Sequence, residues 1–366
     1  MAAPPGPAST KAAPPGPAST KAAPPGPAPA RAAAQARTAQ APTATARPAA
    51  TRAAPAPAPP AEAAGPAPAS APAPREARRP PGRTVSGVCH GTLGELYQGP
   101  LRAGPVPDIA VVSFPVERHS WVHFTPGAHP PNPLPLGSKS ATAARLFLEH
   151  FGLTLPPGRW SAHSDLRVGV GMASSTADIV ATLRCLFRLF ALPYDPDVVL
   201  RVLAAIERAD SVFLDEFALH LSGGHRVVRR LGTEIGFHTA YVTEPGTVDT
   251  AAVTGPLLRH YRRRGDEYER CLTDLLKGFS TGDPAAVARA ATTSAALSQD
   301  VLPKASFDRV LAHRERFGAD GVFVAHTGCL IGYLFTGRPD AGLKSELSAF
   351  FHSLGHQCSF AQGGYG

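Results

Sequence analysis

The first 83 residues of this 366-residue chain contain no Cys, Phe, Trp or Tyr. Without large apolar side chains a segment cannot bury enough surface to offset the entropy of ordering its backbone, which excludes a packed domain there. The same stretch holds 22 of the 40 prolines and opens on a ten-residue repeat, AAPPGPASTK at 2–11 and 12–21, then AAPPGPAPAR at 22–31. This composition predicts a disordered Ala/Pro/Arg-rich tail over 1–83 with polyproline II character. A period of ten with no apolar face excludes a solenoid. Nowhere do about 18 apolar residues run together, so no membrane span is expected. Cysteine is sparse: Cys89, Cys185, Cys271, Cys329 and Cys358 are odd in number and far apart, with no C-x-x-C. That pattern points to a reducing, cytoplasmic setting and away from a zinc cluster. There is also no G-x-S-x-G nucleophile elbow and no H-E-x-x-H helix.

Charge divides along the same line. Residues 1–83 carry ten Lys and Arg against two Glu, and the remainder balances at 26 of each sign. The global pI of about 9.5 therefore describes the tail and not a basic face on the folded part. A nucleic-acid role could rest only on weak, nonspecific phosphate contact by that tail, and a solvated solubilising or tethering segment accounts for it as well. A transit peptide is a third reading, opposed by the prolines.

Residues 84–366 are long enough for one large domain or two closely packed halves, here placed at about 84–235 and 236–366. Apolar and β-branched runs predict strands at Thr84–Cys89, Ile109–Phe114, Ser120–Phe124, Arg226–Leu231, Ala240–Thr243, Val322–His326 and Leu330–Phe335. Helical periodicity predicts Ser140–Phe151, Ala173–Phe190, Asp197–Arg208, Gly255–Lys277, Pro284–Leu297 and Phe307–Phe317. Strands early and late with helices between them read as α+β. On the second helix Ile179, Leu183, Leu186, Phe187 and Phe190 form a stripe that anchors it in the core. On the third, Glu207 borders the apolar face, and a half-buried carboxylate there needs a partner or a metal.

The stretch GVGMASSTADI, residues 169–179, places Gly169, Gly171, Met172, Ala173, Ser174, Ser175 and Thr176 at a helix start. Free backbone N–H groups, hydroxyls and the positive end of a helix dipole make an anion site, and phosphate is the usual anion. Serine at a helix start is often a plain cap, but one cap needs one residue and three hydroxyls exceed that. The stretch is neither a Walker A loop nor a dinucleotide fingerprint.

At this point GVGMASSTADI resembles the G-K-G-M-A-S-S-T-A-D loop of the threonine-kinase branch of the GHMP small-molecule kinases, the superfamily of galactokinase, homoserine kinase and mevalonate kinase. GVCHGTLGELYQG (87–99) is similar to that branch's C-P-G-T-C-G-E-L-V-Q-G motif, and FVAHTGCLIGYLF (323–335) resembles its A-H-S-G-T motif. The three occur in order and span nearly the whole folded part. The resemblance implies a two-lobed α+β kinase that uses ATP and Mg²⁺ to phosphorylate the hydroxyl of a small molecule. L-threonine is the acceptor it points to, as in cobalamin biosynthesis. Homoserine, a sugar or a specialised-metabolite intermediate are the other acceptors of such a fold, and a nucleotide-binding pseudokinase is a reading from another class. Oligomeric state is not legible, a homodimer being compatible with the sequence.

By the same resemblance Ser174 or Ser175 joins Glu207 as a metal ligand; a core-edge salt bridge is the structural alternative for Glu207. Asp210, in IERADS, similar to the family's E-P-T-D-S, is a candidate base for the substrate hydroxyl or else a ligand for a substrate ammonium. Asp215 and Glu216 are weaker rivals. Gly94 and Glu95 fall near the substrate in the family pattern, where Glu95 binds an amino group or caps a turn. His326 reads as a packed or hydrogen-bonded histidine. Departures stand beside these matches: Val170 takes the place of the loop lysine, Arg167 that of a proline, and His90 and Leu93 those of Pro and Cys. Arg167 is the cation expected to compensate for Val170.

Overall fold

The computed structural model describes residues 83–101, 108–128, 132–246 and 250–366. Apart from Arg83, the tail expected over 1–83 lies outside the described residues. The chain runs β1 (Val85–Leu101), β2 (Asp108–Pro126), α1 (Gly137–Phe151), β3 (Gly158–Ser164), α2 (Ser174–Leu189) and α3 (Pro196–Ala204). It continues through β4 (Phe217–Leu221), β5 (Arg226–Gly232), β6 (Gly236–Thr243), α4 (Thr250–Arg263), α5 (Gly265–Thr281) and α6 (Pro284–Ser298). The last elements are α7 (Phe307–His313), β7 (Gly321–Val324), β8 (Leu330–Phe335), α8 (Ala341–Ser353) and β9 (Ser359–Gly364). The α+β class expected from the sequence is what the chain adopts.

The strands form one nine-stranded sheet ordered β1-β7-β8-β6-β9-β2-β4-β5, with β3 also on β2. Because β1 pairs directly with β2 as well, the path from β1 returns to its own neighbour. That closure is possible because β1 and β2 are long and bend. β1 has register shifts between His90 and Gly91, between Thr92 and Glu95, and between Glu95 and Tyr97. Glu95 pairs with Ser113 of β2 and also with Val324 of β7, so the irregular stretch is where β1 turns from one partner to the other. Bulges re-aim side chains in this way. The sequence predicts a strand ending at Cys89 followed by a turn; the strand instead runs on to Leu101, its glycines absorbed as bulges. The two predicted runs at 109–114 and 120–124 are likewise one bent strand, since Pro115 sits opposite Thr92 in the disturbed part of the ladder.

Helix α2 lies against β1 and β2 with α1 over it. Ile179, Leu183, Leu186 and Phe187 are buried, and Phe187 meets Phe147 of α1 edge-to-face, the ring centroids being 4.9 Å apart. A helix packed on several sides cannot shift along its axis without opening cavities, so its N-terminus is held in place. A second apolar cluster, with Tyr333, Phe317 and Phe351 at its centre, fixes α7 and α8 on the other part of the sheet. The single predicted helix 255–277 is two helices broken at Arg264, and the predicted helix 197–208 stops at Ala204. Among the described residues no helix is long and apolar enough to cross a membrane.

Candidate active site

Helix α2 begins without a side-chain cap. Its N-cap is Ala173 in the left-handed region (φ 51°), and the first intrahelical bond runs from the Ala177 amide to the Ala173 carbonyl at 2.9 Å. The amides of Ser174, Ser175 and Thr176 therefore find no acceptor among the described residues, and the hydroxyls are not used as caps. A non-glycine residue held at positive φ costs on the order of 1–3 kcal/mol, strain that concentrates at functional sites. The loop leading in is tied down by its own carbonyls. The Thr92 amide donates to Met172 O (3.1 Å), Gly94 to Gly171 O (3.0 Å) and Cys329 to Val170 O (2.9 Å). Contact is so close that a Cβ on Gly171 would stand 2.4 Å from the Ala325 Cβ, and one on Gly328 would stand 2.4 Å from Val170 O. The three sequence motifs are thus one object in space, with β1 and the β7–β8 turn bracing the loop from both sides. Gly94 (φ 72°) belongs to this brace, packed against Ala325.

Glu207 faces the same helix start. It lies past the end of α3, in irregular backbone anchored by its amide on Leu203 O (2.9 Å), and not on the helix as its spacing predicts. The Ser175 hydroxyl donates to Glu207 Oε2 (3.1 Å) and the Thr176 hydroxyl to Oε1 (3.3 Å). Ser174 is buried beside them with its hydroxyl uncommitted among the described residues. The Lys139 ammonium forms an ion pair with Glu207 Oε2. Sequence reading missed Lys139. A signal was present, since a lysine in the first turn of a helix opposes the dipole and needs a local anion to account for it. Arg167 is elsewhere, its guanidinium 3.4 Å from the Thr243 hydroxyl.

One carboxylate flanked by hydroxyls, uncapped amides and a lysine suits a polyphosphate carrying Mg²⁺, a cation that keeps phosphate and water ligands. No three His, Cys, Asp or Glu side chains gather into an all-protein metal cage among the described residues.

A recess of about 500 Å³ opens beside this corner, lined in part by Glu95, Lys139, Glu207, Arg208, Asp210 and Thr327. Glu95 is buried, aimed inward by the β1 bulge. Its Oε2 accepts the His326 amide (2.9 Å) and His326 Nδ1 (3.0 Å). Behind the ring, Nε2 is 3.2 Å from the Ser294 hydroxyl, whose oxygen accepts the Gln98 amide at 3.2 Å. An ionised Glu95 can only accept, so Nδ1 carries the proton; with the ring neutral, the Ser294 hydroxyl donates to Nε2. Asp210 accepts the Ser113 hydroxyl on Oδ1 (3.1 Å). Burial, and then the neighbouring Glu95 carboxylate, push the Asp210 carboxyl up to about 7, against the opposing pull of Ser113. Ser113 and Ser294 were not singled out from the sequence, because each is brought in by strand or helix register from a distant stretch; Arg208, next to Glu207 in the chain, was passed over. Asp215 and Glu216 do not line the recess; they are paired with Arg184 and Arg230.

The fold has relatives. The GHMP kinases N terminal domain matches residues 138–219. L. major mevalonate kinase, solved with R-mevalonate, superposes with a TM-score of 0.57 at 12% identity, over 79% of this chain and 98% of its own. Homoserine kinase from Cytophaga hutchinsonii gives 0.56 at 14%, over 76% and 94%. By sequence, the L-threonine kinase of Citrobacter freundii is 29% identical over 260 residues, 67% of this chain and 84% of that protein. The L-threonine kinase of Salmonella typhimurium is 28% identical over 282 residues, 71% and 86%. What the chain is similar to, by family model, sequence and fold, is the GHMP kinase superfamily. Within it, the curated relatives it resembles are those of the threonine kinase branch.

Proposed function

We propose that this kinase transfers the γ-phosphoryl of ATP to the hydroxyl of a small hydroxy amino acid, L-threonine giving O-phospho-L-threonine. The observation that carries the reading is the continuity of the site: the uncapped helix start and the recess floored by Glu95 and Asp210 share one wall, at Glu207 and Lys139. The likeness to two L-threonine kinases supports the choice of acceptor.

In this reading the amides and hydroxyls of Ser174, Ser175 and Thr176 hold the ATP phosphates, braced by Gly169 and Gly171. Glu207 with Ser174 or Ser175 holds Mg²⁺, which when bound neutralises charge on the phosphates. Asp210 accepts the acceptor's hydroxyl proton as its oxygen bonds to phosphorus and the bond to ADP breaks. Lys139 supplies the cation that Val170 does not, meeting charge on the transferring group. Positioning accounts for much of the rate in such transfers. The test is a Mg·ATP turnover assay over a panel of hydroxy amino acids and sugars, with Glu207→Ala as control. The expected result is threonine-dependent ADP release, lost in the variant. ATP loss that ignores both threonine and the substitution overturns the reading, and retained ATP binding without turnover replaces it with a pseudokinase.

A further inference from the structure

The recess carries charge of both signs, sorted by depth. At its buried end Glu95 commits Oε2 to His326 and leaves Oε1 without a partner among the described residues. Asp210 commits Oδ1 to Ser113 and leaves Oδ2 open in the same way. No Lys or Arg lies within 4.0 Å of either carboxylate among the described residues. The nearby Lys304 ammonium is turned onto the His326 carbonyl at 3.4 Å, and Lys139 is on Glu207. At the open end stands Arg208, exposed, lining the recess and in no ion pair among the described residues. Asp108 borders Gly223 beside the Arg208 guanidinium, its Oδ1 accepting the Ile109 amide at 2.7 Å.

Two desolvated carboxylates without a cation are unfavourable, and a neutral sugar leaves them so. An apolar ligand does worse. A ligand that brings one cationic group to the depth of the recess and one anionic group to its mouth resolves both ends. The geometry also orders the groups. Glu95 and Asp210 flank one residue, Ser113, the first through strand register and the second through a hydrogen bond. A β-hydroxy-α-amino acid has its ammonium and hydroxyl on neighbouring carbons, which suits two carboxylates so placed.

Resting on the function proposed above, we infer that the recess recognises the zwitterion of a β-hydroxy-α-amino acid, with Glu95 on the ammonium, Asp210 on the hydroxyl and Arg208 on the carboxylate. Arg208 is then a specificity-determining residue, its planar fork matched to a carboxylate.

The experiment compares kcat/KM of the full chain with Mg·ATP for L-threonine and for L-threoninol, which lacks the carboxylate. In Arg208→Ala the preference for threonine over threoninol falls by about 10- to 100-fold, the scale of a charge-assisted hydrogen bond. Arg208→Lys keeps the charge without the fork and recovers part of that preference. The complementary ratio, threonine over 3-hydroxybutyrate, falls in Glu95→Gln. Threonine turnover in Arg208→Ala with an unchanged threonine-to-threoninol ratio overturns the assignment while leaving the kinase reading intact. A wild-type chain that phosphorylates sugars and no hydroxy amino acid overturns both.

Discussion

The phosphate-side corner and the acceptor recess meet at Glu207, yet they are built in opposite ways. The corner is mostly backbone: amides of Ser174 to Thr176, and carbonyls of Val170 to Met172 held by the two flanking motifs. The recess is mostly individual side chains: Glu95 and Ser113 from β1 and β2, Arg208 and Asp210 from the segment after α3, and His326 from the turn after β7. Backbone donors serve any polyphosphate, whereas side-chain charges select among acceptors. Substitutions on the recess side should therefore change which molecule reacts and at what pH, and those on the corner should change how well ATP is held.

The largest effect is expected at the recess. Asp210→Asn should lower kcat by about 10²- to 10⁴-fold, the usual contribution of a general base. Wild-type kcat/KM should rise with pH through about 7, as the Asp210 carboxyl ionises, and the variant should lack that limb. Stability runs the other way. A folded-state carboxyl raised above its unfolded value favours folding below the unfolded pKa, and that contribution is lost as pH rises through about 7. Removing the buried charge should accordingly raise the thermal midpoint of the ligand-free protein at pH 8. An unchanged pH profile in Asp210→Asn would remove the base from the mechanism.

Next comes the wall between the regions. Lys139→Ala should lower kcat by about 10²- to 10³-fold, on the scale of losing one transition-state donor. Arg167→Ala, whose guanidinium rests on Thr243, should stay within a factor of about three, as exposed substitutions usually do. The reverse ranking would return the compensating cation to Arg167. On the corner itself, Gly328→Ala puts a Cβ 2.4 Å from Val170 O, which forces the loop to move. The expected result is about a tenfold higher KM for ATP with the threonine KM little changed, and about 1–3 kcal/mol of stability lost to overpacking.

The contrast in construction also decides what could be read without coordinates. The corner was legible because its donors are contiguous: two glycines, three hydroxyls and an apolar stripe on one helix mark a held N-terminus. Glu95 was visible for the same reason, as part of a local motif. Lys139, Ser113 and Ser294 were not, because no short stretch relates them; Arg208 was passed over although it lies between Glu207 and Asp210. Ser113 stands opposite Glu95 only because β1 and β2 pair in one register, and Ser294 reaches His326 only because α6 packs beside β7. Three strands went unpredicted, β3, β4 and β9, and the last two had weak local signals. β4 is five residues long, and β9, SFAQGG, is rich in glycine. Both are strands because β2 and β6 offer them a ladder. Glu207 was found for a partly mistaken reason. Its helix ends three residues earlier, but the last turn still aims it at α2.

The smallest predicted effects discriminate most finely, because two neighbours of Asp210 should move the same titration in opposite directions. Ser113 donates to the ionised carboxylate and holds its pKa down, so Ser113→Ala should shift the low-pH limb of kcat/KM upward by about half a unit to one unit. Glu95 is a like charge that pushes Asp210 up, so Glu95→Gln should shift the same limb downward while raising the threonine KM. Above the limb, Ser113→Ala should recover most of the wild-type kcat, because a base that titrates later is still a base once ionised. A merely structural role for Ser113 predicts a loss of kcat at every pH with the limb in place. Shifts of the same sign in both variants would mean that the limb belongs to a group other than Asp210.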